Sequence, residues 1–282
     1  MKQPTLIFFS FFLVLILLGS ACSKVPFTGR KQTKVLPSSQ INALSFDQYE
    51  QFLRQYPPMT SGPEVNRVRR IGTKLVQAVR TYYEANQMTE DLREFEWEFN
   101  VVDDPLVNAF CMPGGKVVVY TGILPIAQDD DGLAVIMGHE IAHALAHHGN
   151  ERMTQTLGAQ GLLMLGDAIL SSRAASQTDS AQAANAERTR QVLLAAAGAG
   201  AQIGVLLPFS RVHESEADQI GLYLMAIAGY DVNAAAPFWE RMQAVGGISP
   251  PEFLSTHPSP QTRQENLRKW APEAVAFGAP YR

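Results

Sequence analysis

His139-Glu140-Ile141-Ala142-His143 is the stretch on which the reading of this chain turns. On an α-helix, residues four apart share a face, so both imidazoles can be aimed at one metal ion. Glu140 follows the first histidine, where its carboxylate can sit beside a metal-bound water and act as general base. The flanking residues favour a helix. Asp129-Asp130-Asp131-Gly132 puts acids at its positive end, and Val135, Ile136, Ile141, Ala142 and Leu145 carry an apolar pattern through it.

Such a site needs a third protein ligand. The metzincin pattern would place Gly at 146 and His at 149, but the chain has Ala146 and Gly149, so that class is excluded. His147 and His148 are read as structural or surface histidines. The remaining candidates lie in Glu214-Ser215-Glu216-Ala217-Asp218. Asp218 is one helical turn beyond Glu214. That spacing lets Glu214 bind zinc while Asp218 hydrogen-bonds the outer nitrogen of a ligand histidine. Glu216 has no companion of this kind, so spacing favours Glu214.

The chain has 282 residues, 46% hydrophobic and 18% charged, enough for a full core. Its net charge of -4 is spread without long runs of one sign, which argues against a nucleic-acid partner. Leu6 to Leu18 is an almost wholly apolar run with the length of a signal-peptide core, short of a membrane span. Gly19-Ser20-Ala21-Cys22 follows. Small residues before a cysteine resemble a lipoprotein signal, which would leave a lipid on Cys22 and a mature chain beginning there. Gly19 stands where such signals usually have Leu, and plain cleavage after Ala21 is the competing reading. With Cys22 lipidated, Cys111 is the one cysteine left and is read as a small buried hydrophobe.

Residues 22–40 are polar and aperiodic and are expected to be a tether, leaving 41–282 as a single domain. Helices are expected over Ile41 to Tyr56, after Gly62-Pro63, from Ser210 or His213 to Ala228, over Asn233 to Val245, and around Leu267 and Trp270. Phe95–Val101 and Lys116–Gly122 read as strands. Leu157–Leu170 and Val192–Leu207, rich in Ala, Gly and Leu, are expected to pack in the core, with the polar stretch Ser171–Arg190 as a mobile loop between them.

Together with Ser210-Arg211-Val212-His213, the two motifs resemble the gluzincin family that includes HtpX and the CAAX prenyl endoproteases. Asn108-Ala109-Phe110 with Pro113-Gly114-Gly115, and Thr256-His257-Pro258-Ser259 with Arg263, are similar to its soluble periplasmic BepA/LoiP-like branch, as is Pro26 with Thr28-Gly29-Arg30 to lipoprotein members. The resemblance implies an α+β, mostly helical, zincin-type domain with a small sheet whose edge strand borders the cleft. It carries the ligand set onto His139, His143 and Glu214, with one Zn(2+) per chain. His257 lies in a stiff loop able to reach the metal; the resemblance implies either a fourth ligand that keeps the enzyme latent or a stabiliser of the oxyanion.

The expectation is therefore a zinc endopeptidase in which Glu140 is the general base. Extended or unfolded polypeptides would pair along Lys116–Tyr120 as the edge strand. The alternative is an envelope-protein binding or assembly factor with a latent zinc site. The lipoprotein reading places the chain in the bacterial periplasm, tethered to the outer membrane through Cys22, with envelope assembly machinery as a partner.

Overall fold

The computed structural model describes residues 22–175, 184, 187–188, 191, 207–245, 253–254, 257 and 262–282. The expected signal segment, most of the expected polar loop beyond residue 175, and residues 192–206 of the second small-residue stretch lie outside these residues.

Cys22–Lys24 (β1) and Lys31–Thr33 (β2) pair antiparallel, with Cys22 opposite Thr33 and Lys24 opposite Lys31. The segment expected as a tether is thus, in its first half, a hairpin folded onto the domain. Its turn docks through side chains. Val25 is fully buried, and the Phe27 ring stacks on Tyr82 with centroids 3.9 Å apart. Phe27 takes a positive φ of 68°, and the Val25 N–H closes the turn on the Arg30 carbonyl at 2.8 Å.

Ser38–Gln55 (α1) and Pro63–Ala85 (α2) follow, the second starting at a proline whose missing N–H costs nothing at a helix start. The apolar stripe of α2, from Val65 to Tyr82, is buried as its spacing predicts.

The second sheet has the order β3-β5-β4: Glu98–Val102 (β3) runs parallel to Lys116–Tyr120 (β5), and Ala109–Met112 (β4) pairs antiparallel with β5. This corrects the expected edge. β5 is the central strand, and β4 is the edge that faces the metal centre. The reason is burial on both faces of β5. Val117 and Val119 face the main core, whereas Val118 and Tyr120 face a smaller cluster with Tyr49 and Val102. Both faces dry is why Val117-Val118-Val119 reads as an unbroken apolar run. Each such valine adds about 1.5–3 kcal/mol of burial.

Leu124–Ala127 (α3) leads to Asp130–Leu145 (α4), capped by the Asp129 side chain accepting from the Gly132 N–H at 2.8 Å. From Gly132 to Leu145 every residue of α4 is buried, so this helix is the centre of the molecule. It packs on Leu207–Ala228 (α6), which spans the expected start at Ser210. Gly138 and Gly221 meet at their crossing. A Cβ on Gly221 would fall 3.1 Å from the His139 backbone nitrogen, so the helix approach that brings the two motifs together requires a glycine there. Ala235–Val245 (α7) and Arg263–Gly278 (α8) complete the α+β, mostly helical domain.

His148–Ala175 (α5) departs from expectation. Its first turn is buried, but Leu162, Met164, Leu165 and Ile169 are exposed, so this half of the small-residue region does not pack in the core. Apolar residues follow one another around the axis from Leu162 to Leu165 and form no single stripe that one neighbour could cover. Among the described residues, no helix is long and apolar enough to cross a membrane.

Candidate metal centre

α4 ends at Leu145 with Ala146 as its C-cap, and His147, with φ 51°, turns the chain into α5. Within α4, His139 and His143 lie one turn apart and face Glu214 on α6. The Nε2 atoms of the two histidines are 3.1 Å apart. Glu214 places Oε2 3.2 Å from His139 Nε2 and Oε1 3.4 Å from His143 Nε2. His257 brings Nδ1 within 3.1 Å of Glu214 Oε1 and 3.4 Å of His139 Nε2. One donor atom from each of these four residues lies within 4.8 Å of the others.

The donor set fits zinc. Three imidazoles and a carboxylate are its usual nitrogen and oxygen ligands, and bonds of about 2.0–2.1 Å in a tetrahedron set donors about 3.4 Å apart. The separations above, 3.1 to 3.4 Å, are close to that spacing.

Glu140 supplies a second mark of fit. Its Oε2 accepts from the Cys111 N–H of β4 at 3.1 Å, while its Oε1 is buried without a hydrogen-bond partner. A buried carboxylate oxygen is costly to leave unpaired unless something else is held against it. Burial raises the Glu140 carboxyl above the usual range, more than His257 and His139 lower it, which moves a carboxylate toward the affinity a general base needs. The same burial holds the Cys111 thiol well above its usual value and therefore protonated.

Asp218 lies where its spacing from Glu214 implies. Its Oδ1 is 2.9 Å from His139 Nδ1 and accepts from Arg263 Nη2 at 2.5 Å. The Arg263 guanidinium carbon lies over the Trp239 ring, 3.2 Å from its centre. Burial disfavours the protonated form of His139, yet Asp218 and Glu214 outweigh it and lift the residue to about 9. His143 goes the other way, held well below the ordinary value by burial despite Glu214. His257 is anchored by its own backbone N–H, which donates to the Phe253 carbonyl at 2.9 Å, and its ring stacks on fully buried Phe253 at 4.3 Å.

All six residues singled out at the site, His139, Glu140, His143, Glu214, Asp218 and His257, are therefore brought together. Sequence reasoning missed the layer behind them. His148, read as structural or surface, is buried with Nδ1 2.8 Å from His143 Nδ1. Glu216, which spacing left without a companion, has three: His148 Nε2 at 2.9 Å, Arg30 Nε at 2.8 Å and Thr28 Oγ1 at 2.5 Å. Burial opposes its charge, but these hydrogen bonds hold its pKa down to about 2. No local spacing links Arg30 or Thr28 to the motif; they reach it through the hairpin fold.

Residues 66–271 match the model of peptidase family M48. The chain belongs to peptidase family M48. Mitochondrial metalloendopeptidase OMA1 of Schizosaccharomyces pombe is 41% identical over 185 residues, 65% of this chain and 49% of that protein. Metalloendopeptidase OMA1 of Bos taurus is 34% identical over 262 residues, 89% of this chain and 46% of its own length. The beta-barrel assembly-enhancing protease of Escherichia coli is 28% identical over 230 residues, 80% of this chain and 42% of that protein. This M48 chain spans about half the length of the curated relatives it matches.

Gluzincin kinship therefore holds. Its expected placement does not hold. A bacterial periplasmic protein tethered to the outer membrane is contradicted by relatives that are mitochondrial enzymes, at higher identity than the bacterial one. The lipid on Cys22 and the envelope assembly machinery belonged to that placement and lose their support with it.

Proposed function

We propose that this M48 chain is a zinc-dependent endopeptidase acting on extended segments of unfolded or misassembled polypeptides. His139, His143 and Glu214 hold the metal, and His257 is a fourth donor in the resting site. The observation that carries this reading is the unpartnered, buried Oε1 of Glu140 next to a four-donor cluster of zinc-like spacing. Zinc, when bound, supplies a Lewis acid that activates water and polarises a peptide carbonyl. Glu140 takes the proton of the attacking water at Oε1 and delivers it to the leaving amine. Asp218 holds His139 in the tautomer whose Nε2 faces the metal.

Substrate would lie along β4. Residues 108 and 112 turn their carbonyls toward the Tyr120 and Gly115 N–H groups, so Ala109 and Cys111 point their backbone groups outward. The Cys111 N–H is held by Glu140 and the Ala109 N–H by Asn108 Oδ1. An extended peptide would therefore add to that edge by donating its own N–H groups to the outward carbonyls, a main-chain contact that reads backbone shape more than side-chain identity. His257 Nε2 lies 3.6 Å from Glu140 Oε1, the oxygen that would face the attacking water, so turnover would require this side chain to move aside.

The test is metal dependence on a disordered substrate such as reduced casein. Removing the metal with a chelator is expected to stop cleavage, and one equivalent of zinc to restore it. Cleavage that persists through exhaustive chelation rules the reading out.

A further inference from the structure

Behind the two histidines of the motif stand two unlike supports. His139 is backed directly by Asp218, and Asp218 by Arg263 of α8. His143 is backed by a longer line that ends on the N-terminal hairpin. His143 Nδ1 lies 2.8 Å from His148 Nδ1, His148 Nε2 lies 2.9 Å from Glu216 Oε2, and Arg30 Nε donates to the same Oε2 at 2.8 Å. The proton assignment along this line is forced once His143 Nε2 faces a metal. His143 then carries its proton on Nδ1 and donates to His148 Nδ1, and His148 donates from Nε2 to Glu216.

A parallel line braces the first. Arg30 grips Glu151 with Nη1 at 3.0 Å and Nη2 at 2.7 Å, and Glu151 accepts from His213 Nε2 at 2.9 Å. The His213 and His148 rings stack at 4.3 Å. One guanidinium thus joins a carboxylate of α5 to a carboxylate of α6, and the histidines they orient are buried at the back of His143. Arg30 reaches this position because Val25 and Phe27 dock the turn and Thr28 Oγ1 bonds Glu216 beside it.

We propose that Arg30 is a positioning residue for the metal ligand His143, acting through Glu216 and His148, so that docking of the N-terminal hairpin and zinc affinity are coupled. The inference rests on the reading of His143 as a zinc ligand. Without Arg30, two buried carboxylates face each other with no cation between them, and the line that fixes the His143 ring loses its outer anchor. Linkage makes the coupling reciprocal: what the hairpin contributes to zinc affinity, zinc returns to the hairpin.

The experiment measures zinc affinity of the full chain by competition with a chromophoric chelator. R30A is expected to weaken zinc binding about 10- to 100-fold, the range for the loss of a partner behind a metal ligand. R30K, which keeps the charge but not the two-pronged grip, is expected to recover part of that loss. R67A is the control: Arg67 pairs with Asp130 at 2.9 Å and has the same 23% side-chain exposure as Arg30. It is expected to leave zinc affinity unchanged, as a purely structural effect of losing a salt bridge would not single out Arg30. Zinc affinity in R30A equal to wild type overturns the proposal. H143A separates it from the reading it rests on: unaltered zinc affinity there removes His143 as a ligand, whereas lost affinity in H143A with none lost in R30A removes the hairpin coupling alone. Should R30A not fold, amide exchange of residues 22–33 in the wild-type chain decides. Zinc is expected to slow it about 10-fold or more, matching the coupling, and exchange indifferent to zinc overturns the proposal.

Discussion

The backbone N–H of Cys111 donates to Glu140 Oε2 across 3.1 Å, so the edge strand and the acid of the motif are fixed to one another. The bond uses one carboxylate oxygen and aims the other at the metal cluster. Because the donor is main chain, the side chain at 111 is not part of it. C111S is expected to keep peptidase activity within about twofold, in line with a substitution that leaves the backbone bond intact. C111P removes the N–H on the outward side of β4, where no ladder bond to β5 depends on it, and is expected to lower kcat about 10-fold or more with the melting transition preserved. Equal activity in C111P and wild type would contradict the role given to this bond.

His257 is placed to close the site, with Nδ1 3.1 Å from Glu214 and Nε2 facing Glu140. H257A is expected to raise cleavage of reduced casein several-fold and to weaken zinc binding slightly, since three ligands remain. Steady-state kinetics on the purified variant reads both directions. A fall in kcat of the size seen when an oxyanion donor is removed, about 100-fold or more, would assign His257 to the transition state and not to the resting site.

Among the proposed metal donors Asp218 contacts His139, at 2.9 Å from Nδ1. D218A is expected to cost about 10- to 100-fold in zinc affinity, and saturating zinc is expected to restore most of the activity. A competition titration with a chelator measures the first, and activity against zinc concentration the second. Wild-type affinity in this variant would mean that Arg263 and Trp239 hold His139 in place without it.

Glu151 gives the fold an acid-sensitive contact. Burial alone would raise its pKa, but the hydrogen bonds from His213 and Arg30 bring it down from 4.5 to about 2. A carboxylate depressed in the folded state contributes stability that is fully present above the unfolded value. That stability declines as pH falls from about 4.5 and is gone below about 2. The stability gap between wild type and E151Q is therefore expected to be widest at neutral pH and to narrow from pH 4.5 downward. Urea unfolding of both chains at pH 7, 4 and 3 measures it, and a gap independent of pH would show that Glu151 is protonated in the folded chain.

Local patterns made the core of the site legible. HExxH on an apolar helix, Glu214 with Asp218 one turn on, and a histidine in a proline-stiffened loop each carry their meaning in short spacing. What escaped was non-local. The pairing of Arg30 with Glu216 spans 186 positions, and nothing around Arg30 marks it as the partner of two buried carboxylates. β4 has four residues and no alternation, though the Pro113-Gly114-Gly115 turn required a partner strand before β5. The apolar character of residues 157–170 suggests core, but composition reports hydrophobicity without saying which neighbour covers it, and Leu162, Met164, Leu165 and Ile169 are exposed. The lipoprotein placement rests on a few residues around Cys22, whereas the family relationship that overturns it spans most of the chain.

The central claim is that Glu140 moves the proton while its neighbours hold the metal. E140Q tests it most directly, because the amide is nearly the same size and can still accept from the Cys111 N–H. Zinc content and casein cleavage are measured on the same preparation. The account expects about one zinc per chain and a loss of cleavage of about 100- to 10,000-fold, the contribution of a general base. Full zinc occupancy with cleavage near the wild-type rate would contradict it.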